Sequence, residues 1–175
     1  MLEALRSSQR LGSLGDRSVE EIVGHAQAFV DALRPVVGQI LDLGSGGGVP
    51  GLVIAWRRPD VTMILVERRQ SRADHLHRLV RRLGLADRVA VAAVDGRQLT
   101  SASADGVVAR SFGAPAMIAE LAGRLLRSGG RLVVSEPPHP DPQRWSPEVL
   151  RRAGLSPVAA DDPRVFVATR DDGST

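Results

Sequence analysis

At 175 residues the chain has the size of one ordinary domain, enough to bury a core without disulfide or metal staples. It contains no cysteine, which excludes disulfides, thiolate metal sites and thiol catalysis, and no apolar run approaches the roughly 20 residues of a membrane helix. A net charge of +3 beside a pI near 11.0 has a simple origin: all 23 basic residues are arginine, so the high pI is weak evidence for a nucleic-acid partner.

Residues 1–17 read as a short N-terminal segment without a signal-peptide core, 18–170 as a single domain, and 171–175 as a tail expected to fray. A soluble, cytoplasmic chain is expected. Ser18 with Glu21 fits a capping box, and Ile22, Ala26, Phe29, Val30 and Leu33 share one apolar face, which predicts a helix over 18–33 stopped by Pro35. A strand over 39–43 follows, then "GSGGGVPG" and a helix opening near Pro50. "VTMILVE" predicts a second strand ending at Glu67, and a helix over 70–83 turns Leu76, Leu79, Val80 and Leu83 inward before Gly84.

"RVAVAAV" predicts a third strand leading to Asp95. After the small-residue stretch "TSASADG", "VVAR" is a fourth strand ending at Arg110. A helix over 114–126, a strand "RLVVSE", the rigid loop "PPHPDP", a helix over 147–153 and a closing strand pair, "SPVAA" and "RVFVATR", complete the chain. Alternation of short apolar strands with helices marks an α/β domain with a mostly parallel sheet.

The glycine loop carries two overlapping motifs. Gly46, Gly48 and Gly51 satisfy the dinucleotide G-x-G-x-x-G with Glu67 about 20 residues on, while Asp42, Gly44, Gly46 and Gly48 make the D-x-G-x-G-x-G of class I S-adenosylmethionine methyltransferases. A dinucleotide brings an anionic pyrophosphate to the helix start, where an acid such as Asp42 has no evident partner. S-adenosylmethionine brings an ammonium and a sulfonium, and the glycines let it lie against bare backbone. Glu67 suits the ribose of either cofactor, and Asp95 stands where these methyltransferases hold the adenine amino group. The methyltransferase is therefore the favoured reading and the dehydrogenase the lesser one.

With these residues in view the chain resembles the RsmG (GidB) family, which methylates N7 of a guanine in 16S ribosomal RNA. The likeness rests on "DLGSGGGVPGLVIAWRRPDV", continues through "LVERRQSRADHL" and "DGVVARSFG", and covers about 18–134. It implies a Rossmann-like class I methyltransferase fold with a seven-stranded sheet, S-adenosyl-L-methionine as cofactor, and ribosomal RNA or the small ribosomal subunit as partner, with no metal and no membrane. It also implies that Gly44 and Val49 line the methionine end, Glu67 the ribose, and Val94 and Asp95 the adenine. Arg110 becomes the cofactor-facing floor of the acceptor pocket.

Where the family has a Lys-Gly after the fifth strand, this chain has Ser135 and Glu136, and the family's Asn-Leu-Thr stretch before the first strand is not evident. A non-catalytic cofactor-binding module completed by a partner chain and a small-molecule methyltransferase remain as alternatives. The loop Ser135–Pro142 separates acceptors: an apolar enclosure would suit a small molecule and a basic rim would suit RNA. His25 is either a pocket residue, as the likeness implies, or a packing residue. His75 and His77, two apart on a helix, face different ways and are expected at the surface.

Overall fold

The computed structural model describes residues 1–99 and 103–172, so the start of the small-residue stretch and the end of the expected tail lie outside the described residues. Seven strands form one sheet: β1 (Gly38–Leu43), β2 (Val61–Val66), β3 (Val89–Ala92), β4 (Ala104–Ala109), β5 (Leu126–Ser135), β6 (Leu155–Val158) and β7 (Val165–Arg170). Their order is β3-β2-β1-β4-β5-β7-β6. The pairings from β3 through β5 are parallel, and β7 runs antiparallel to both β5 and β6. Strand order reverses between β1 and β4, so the crevice beyond their carboxyl ends is where an open α/β sheet binds ligands.

Two helical layers bury the faces of the sheet. On one side α1 (Leu2–Arg10), α2 (Val19–Ala32), α3 (Gly51–Arg57) and α4 (Gln70–Arg82) contribute Leu5, Phe29, Leu52, Ile54 and Leu76 to a core of fully buried side chains. On the other, α5 (Pro115–Leu125) and α6 (Pro147–Arg152) pack Ile118, Leu125 and Leu150 against Val107, Ala109 and Leu132. The expected capping box is present: Ser18 Oγ accepts from the Glu21 amide, and the Glu21 carboxylate accepts from the Ser18 amide.

Within the short N-terminal segment, residues 2–10 form a helix whose Ala4, Leu5 and Ser8 make a narrow inward stripe that packs on α2 and α4. One expectation needs correction: His75 is buried instead of exposed. Its Nε2 lies 2.8 Å from the Ser8 hydroxyl, a tertiary contact between α1 and α4 that satisfies the ring in the core.

Close packing of α5 on the turn after α6 needs a residue without a side chain at Gly123. A Cβ there would fall 2.2 Å from the Ala153 carbonyl oxygen, a backbone atom that cannot rotate away. Gly123→Ala is expected to destabilise the fold by about 2 to 3 kcal/mol, outweighing the gain of about 1 kcal/mol in helix propensity. A lowered urea midpoint at unchanged m-value checks this.

Candidate active site

The crevice is built on Asp42. Its position in β1, between Leu65 of β2 and Val108 of β4, leaves its carboxyl 1% exposed. Oδ2 accepts from the Gly51 amide at 3.1 Å, the first residue of α3, while Oδ1 is buried without a partner. Burial pushes the carboxyl up to about 6, and the Ser45 hydroxyl, the Gly51 amide and the positive charge of Arg110 pull the other way. A Cβ on Gly51 would meet Leu65 Cδ2 at 2.4 Å and Asp42 Oδ2 at 2.5 Å, so glycine is what lets the helix start touch the strand.

Glu67, just past β2, ties the glycine loop to the next turn. One carboxylate oxygen accepts from the Gly46 amide at 3.1 Å and the other from the Arg69 amide at 2.8 Å. Each oxygen keeps a lone pair beyond the bond it makes. Gly44 has a left-handed φ of +69°, and a Cβ there would lie 2.6 Å from Phe112 Cδ2.

Gly44, Glu67, Val94 and Asp95 line one cavity of about 330 Å³, with Phe112 as another wall. Asp95 is already engaged: it accepts from the Arg97 amide at 3.0 Å and from the Arg97 guanidinium, which holds its carboxyl down at about 2. Gly48 and Val49 lie behind the cavity. Gly48 packs against Leu52 and Leu76, and Val49 is 4% exposed within the core.

A second cavity, about 460 Å³, lies beside the first, and Ser111 borders both. Ser111 holds a positive φ of 54°, a strained turn for a serine at the point where the chain leaves β4. Arg110 lines this second cavity and makes no hydrogen bond or ion pair among the described residues. Burial lowers its pKa, Asp42 opposes that and Arg17 adds to it. His25 lines the same cavity with its Nε2 buried and unpartnered, and burial, followed by Arg164, Arg110 and Arg17, lowers its pKa.

Opposite stand Ser135, Glu136, Pro137 and Pro138, so the loop after β5 is a wall of this cavity. The Glu136 charge is matched within the wall: its Oε2 lies 3.2 Å from Arg144 Nε, and its Oε1 accepts from the Trp145 indole.

The residues predicted for the cofactor thus divide into three groups. Gly44, Glu67, Val94 and Asp95 share one cavity, Arg110 belongs to its neighbour, and Asp42, Gly46, Gly48 and Val49 form the scaffold behind. Phe112, Ser111, Arg17 and Arg144 were not picked out from sequence. An aromatic in "ARSFG", in a chain with 3% aromatics, was the available signal for Phe112.

The model of the GidB family, rRNA small subunit methyltransferase G, matches residues 4–138, which brings α1 into the family region as well. The chain belongs to that family. Among curated GidB-family relatives, the ribosomal RNA small subunit methyltransferase G of Kineococcus radiotolerans is 34% identical over 170 residues, covering 93% of this chain and 65% of the relative.

The Leifsonia xyli protein of the same description is 41% identical over 104 residues, covering 58% and 48%. The chain therefore spans about half to two thirds of these GidB-family relatives. A solved geranyl diphosphate methyltransferase in complex with SAM superposes with a TM-score of 0.69 at 15% identity, over 91% of this chain and 94% of that one. The fold is that of the class I S-adenosylmethionine methyltransferases. No helix among the described residues is long and apolar enough to cross a membrane.

Proposed function

We propose that the chain binds S-adenosylmethionine in the cavity lined by Gly44, Glu67, Val94 and Asp95 and methylates N7 of a guanine in 16S ribosomal RNA, in the cytoplasm. The acceptor is to enter the neighbouring cavity at Arg110. The observation that carries this reading is the adjacency of the two cavities at Ser111: the first holds Glu67, Asp95 and Phe112 for a nucleoside, and the second holds Arg110, which has no hydrogen-bond or ion-pair partner among the described residues.

The residues fit the cofactor. Glu67 keeps lone pairs for ribose hydroxyls, Phe112 faces the same space, and Gly44 leaves bare backbone there. The first amide of α3, which a pyrophosphate would seek, is already taken by Asp42 Oδ2, and this favours a cofactor with a cationic end over a dinucleotide. Bound there, S-adenosylmethionine supplies an activated methyl group. Guanine N7 offers a lone pair that needs no deprotonation, so the protein's task is to orient the base and exclude water.

Arg110 and Arg17 in the acceptor cavity, with Glu136 already matched by Arg144, favour an anionic, nucleic-acid acceptor over an apolar small molecule. Calorimetry with S-adenosylhomocysteine, and NAD as control, tests the cofactor. Micromolar binding of the first, no binding of the second, and a loss of about tenfold in Asp95→Ala are expected. Binding of NAD alone would overturn the reading. Methyl transfer by the isolated chain to small ribosomal subunits would exclude the non-catalytic module.

A further inference from the structure

Resting on that reading of the acceptor cavity, we infer that the Glu136–Arg144 pair is the base reader: a carboxylate and a guanidinium side by side that select guanine over adenine. Glu136 follows β5, and its side chain is 7% exposed on the wall of the cavity that Arg110 also lines. Its Oε1 is fixed by the Trp145 indole, and Trp145 is itself stacked on Phe166 of β7 at 4.0 Å with an interplanar angle of 11°. The carboxylate is therefore held by a rigid aromatic pair rather than by a mobile loop.

What the pair leaves unused points to its ligand. Glu136 Oε2 and Arg144 Nε are both buried and lie 3.2 Å apart, yet they are not aligned as a hydrogen bond, so an acceptor and a donor stand adjacent with bonding capacity to spare. Four prolines between them, Pro137, Pro138, Pro140 and Pro142, stiffen the connecting loop, and the Gln143 amide donates to Asp141 Oδ1 in a turn that delivers Arg144 back to the wall.

Guanine presents the complementary row on its Watson–Crick edge: N1–H and N2–H₂ donate to Glu136, and the O6 beside them accepts from Arg144. Adenine inverts this row. Its N1 lone pair would face the carboxylate and its N6 amino group would face the guanidinium. A guanine held by that edge leaves its N7 free of the pair.

Trp145 makes the test direct, because its indole N–H bonds the residue in question. In a Trp56→Phe background, where Trp145 is the sole tryptophan, titration with guanosine monophosphate is expected to change the emission with an affinity at least about tenfold above that of adenosine monophosphate. Glu136→Gln places an amide N–H₂ against guanine donors and is expected to erase the preference while S-adenosylhomocysteine still binds as in the parent.

Equal affinity for the two nucleotides, binding of neither, or a preference that survives in Glu136→Gln overturns the inference. The nucleotide comparison in the parent background needs no folding control. The cofactor titration separates the two proposals: a chain that prefers guanine but ignores S-adenosylhomocysteine retains the base reader and loses the methyltransferase.

Discussion

Glu67→Ala is expected to abolish measurable cofactor binding and to loosen the glycine loop at the same time. The carboxylate is the acceptor for both the Gly46 and the Arg69 amides, so its removal strands two donors, one in the loop and one at the entry to α4. Amides that lose a charged acceptor cost about 1 to 3 kcal/mol each, less where water reaches them, which sets the stability loss at about 2 to 3 kcal/mol. The two bonds proposed to ribose hydroxyls are lost as well, and with them a factor of more than about a hundred in affinity for S-adenosylhomocysteine.

Glu67→Gln should fall between, since one amide acceptor survives and the other position becomes a donor facing a donor. Urea unfolding and calorimetry on both variants check the two effects separately. An alanine variant that unfolds early but binds the ligand with parental affinity would leave Glu67 as a loop brace and remove it from the ribose.

The elements whose signals are local were legible in the amino-acid pattern. The Ser18–Glu21 box sets the start of α2, Gly84 ends the turn after α4, and the alternation of apolar runs places β1, β2 and β4 within a few residues of their observed spans. What escaped was decided by partners far away in sequence. α1 is nine residues long with a polar residue, Ser8, in its inward stripe, a position that has meaning only once Ser8 meets His75, 67 residues on.

β5 begins at Leu126 rather than at Arg131, since Leu126 pairs with Ala104 across a register shift even though "RSGG" reads as a turn. The site shows the same division. Asp42, Glu67 and Asp95 were visible as acids at strand ends, but Glu136 was legible only as an acid where the family has a Lys-Gly. Its neutralisation by Arg144 depends on a loop closing back on itself, which no local pattern encodes. Nor does local pattern reveal that Val49, at the edge of the glycine motif, turns into the core.

Asp42→Asn should stabilise the cofactor-free chain at neutral pH and lose that advantage in acid. An unfolded aspartate titrates near 3.8, whereas burial pushes the folded Asp42 up to about 6. Between these values the folded state binds a proton that the unfolded state has released, so stability falls as pH rises through the window and stays lowered above about pH 6.

The shift corresponds to about 3 kcal/mol, an upper bound on what ionisation of this buried carboxyl costs the fold. Asparagine does not titrate and keeps an oxygen for the Gly51 amide, but it buries an N–H₂ where Oδ1 has no partner, which returns about 1 to 2 kcal/mol of the gain. A net advantage of about 1 to 2 kcal/mol at pH 7.5 is therefore expected, vanishing or reversing near pH 4.5.

Urea unfolding of both chains at the two pH values measures it, and a difference independent of pH would show that Asp42 does not titrate in this range. On the proposed reading, a charge that weakens the free fold at neutral pH acts on the ligand. Arg110 already favours the ionised form of Asp42, and a cationic cofactor end arriving at the glycine loop would favour it further, so the stability given up in the free chain is recovered on binding.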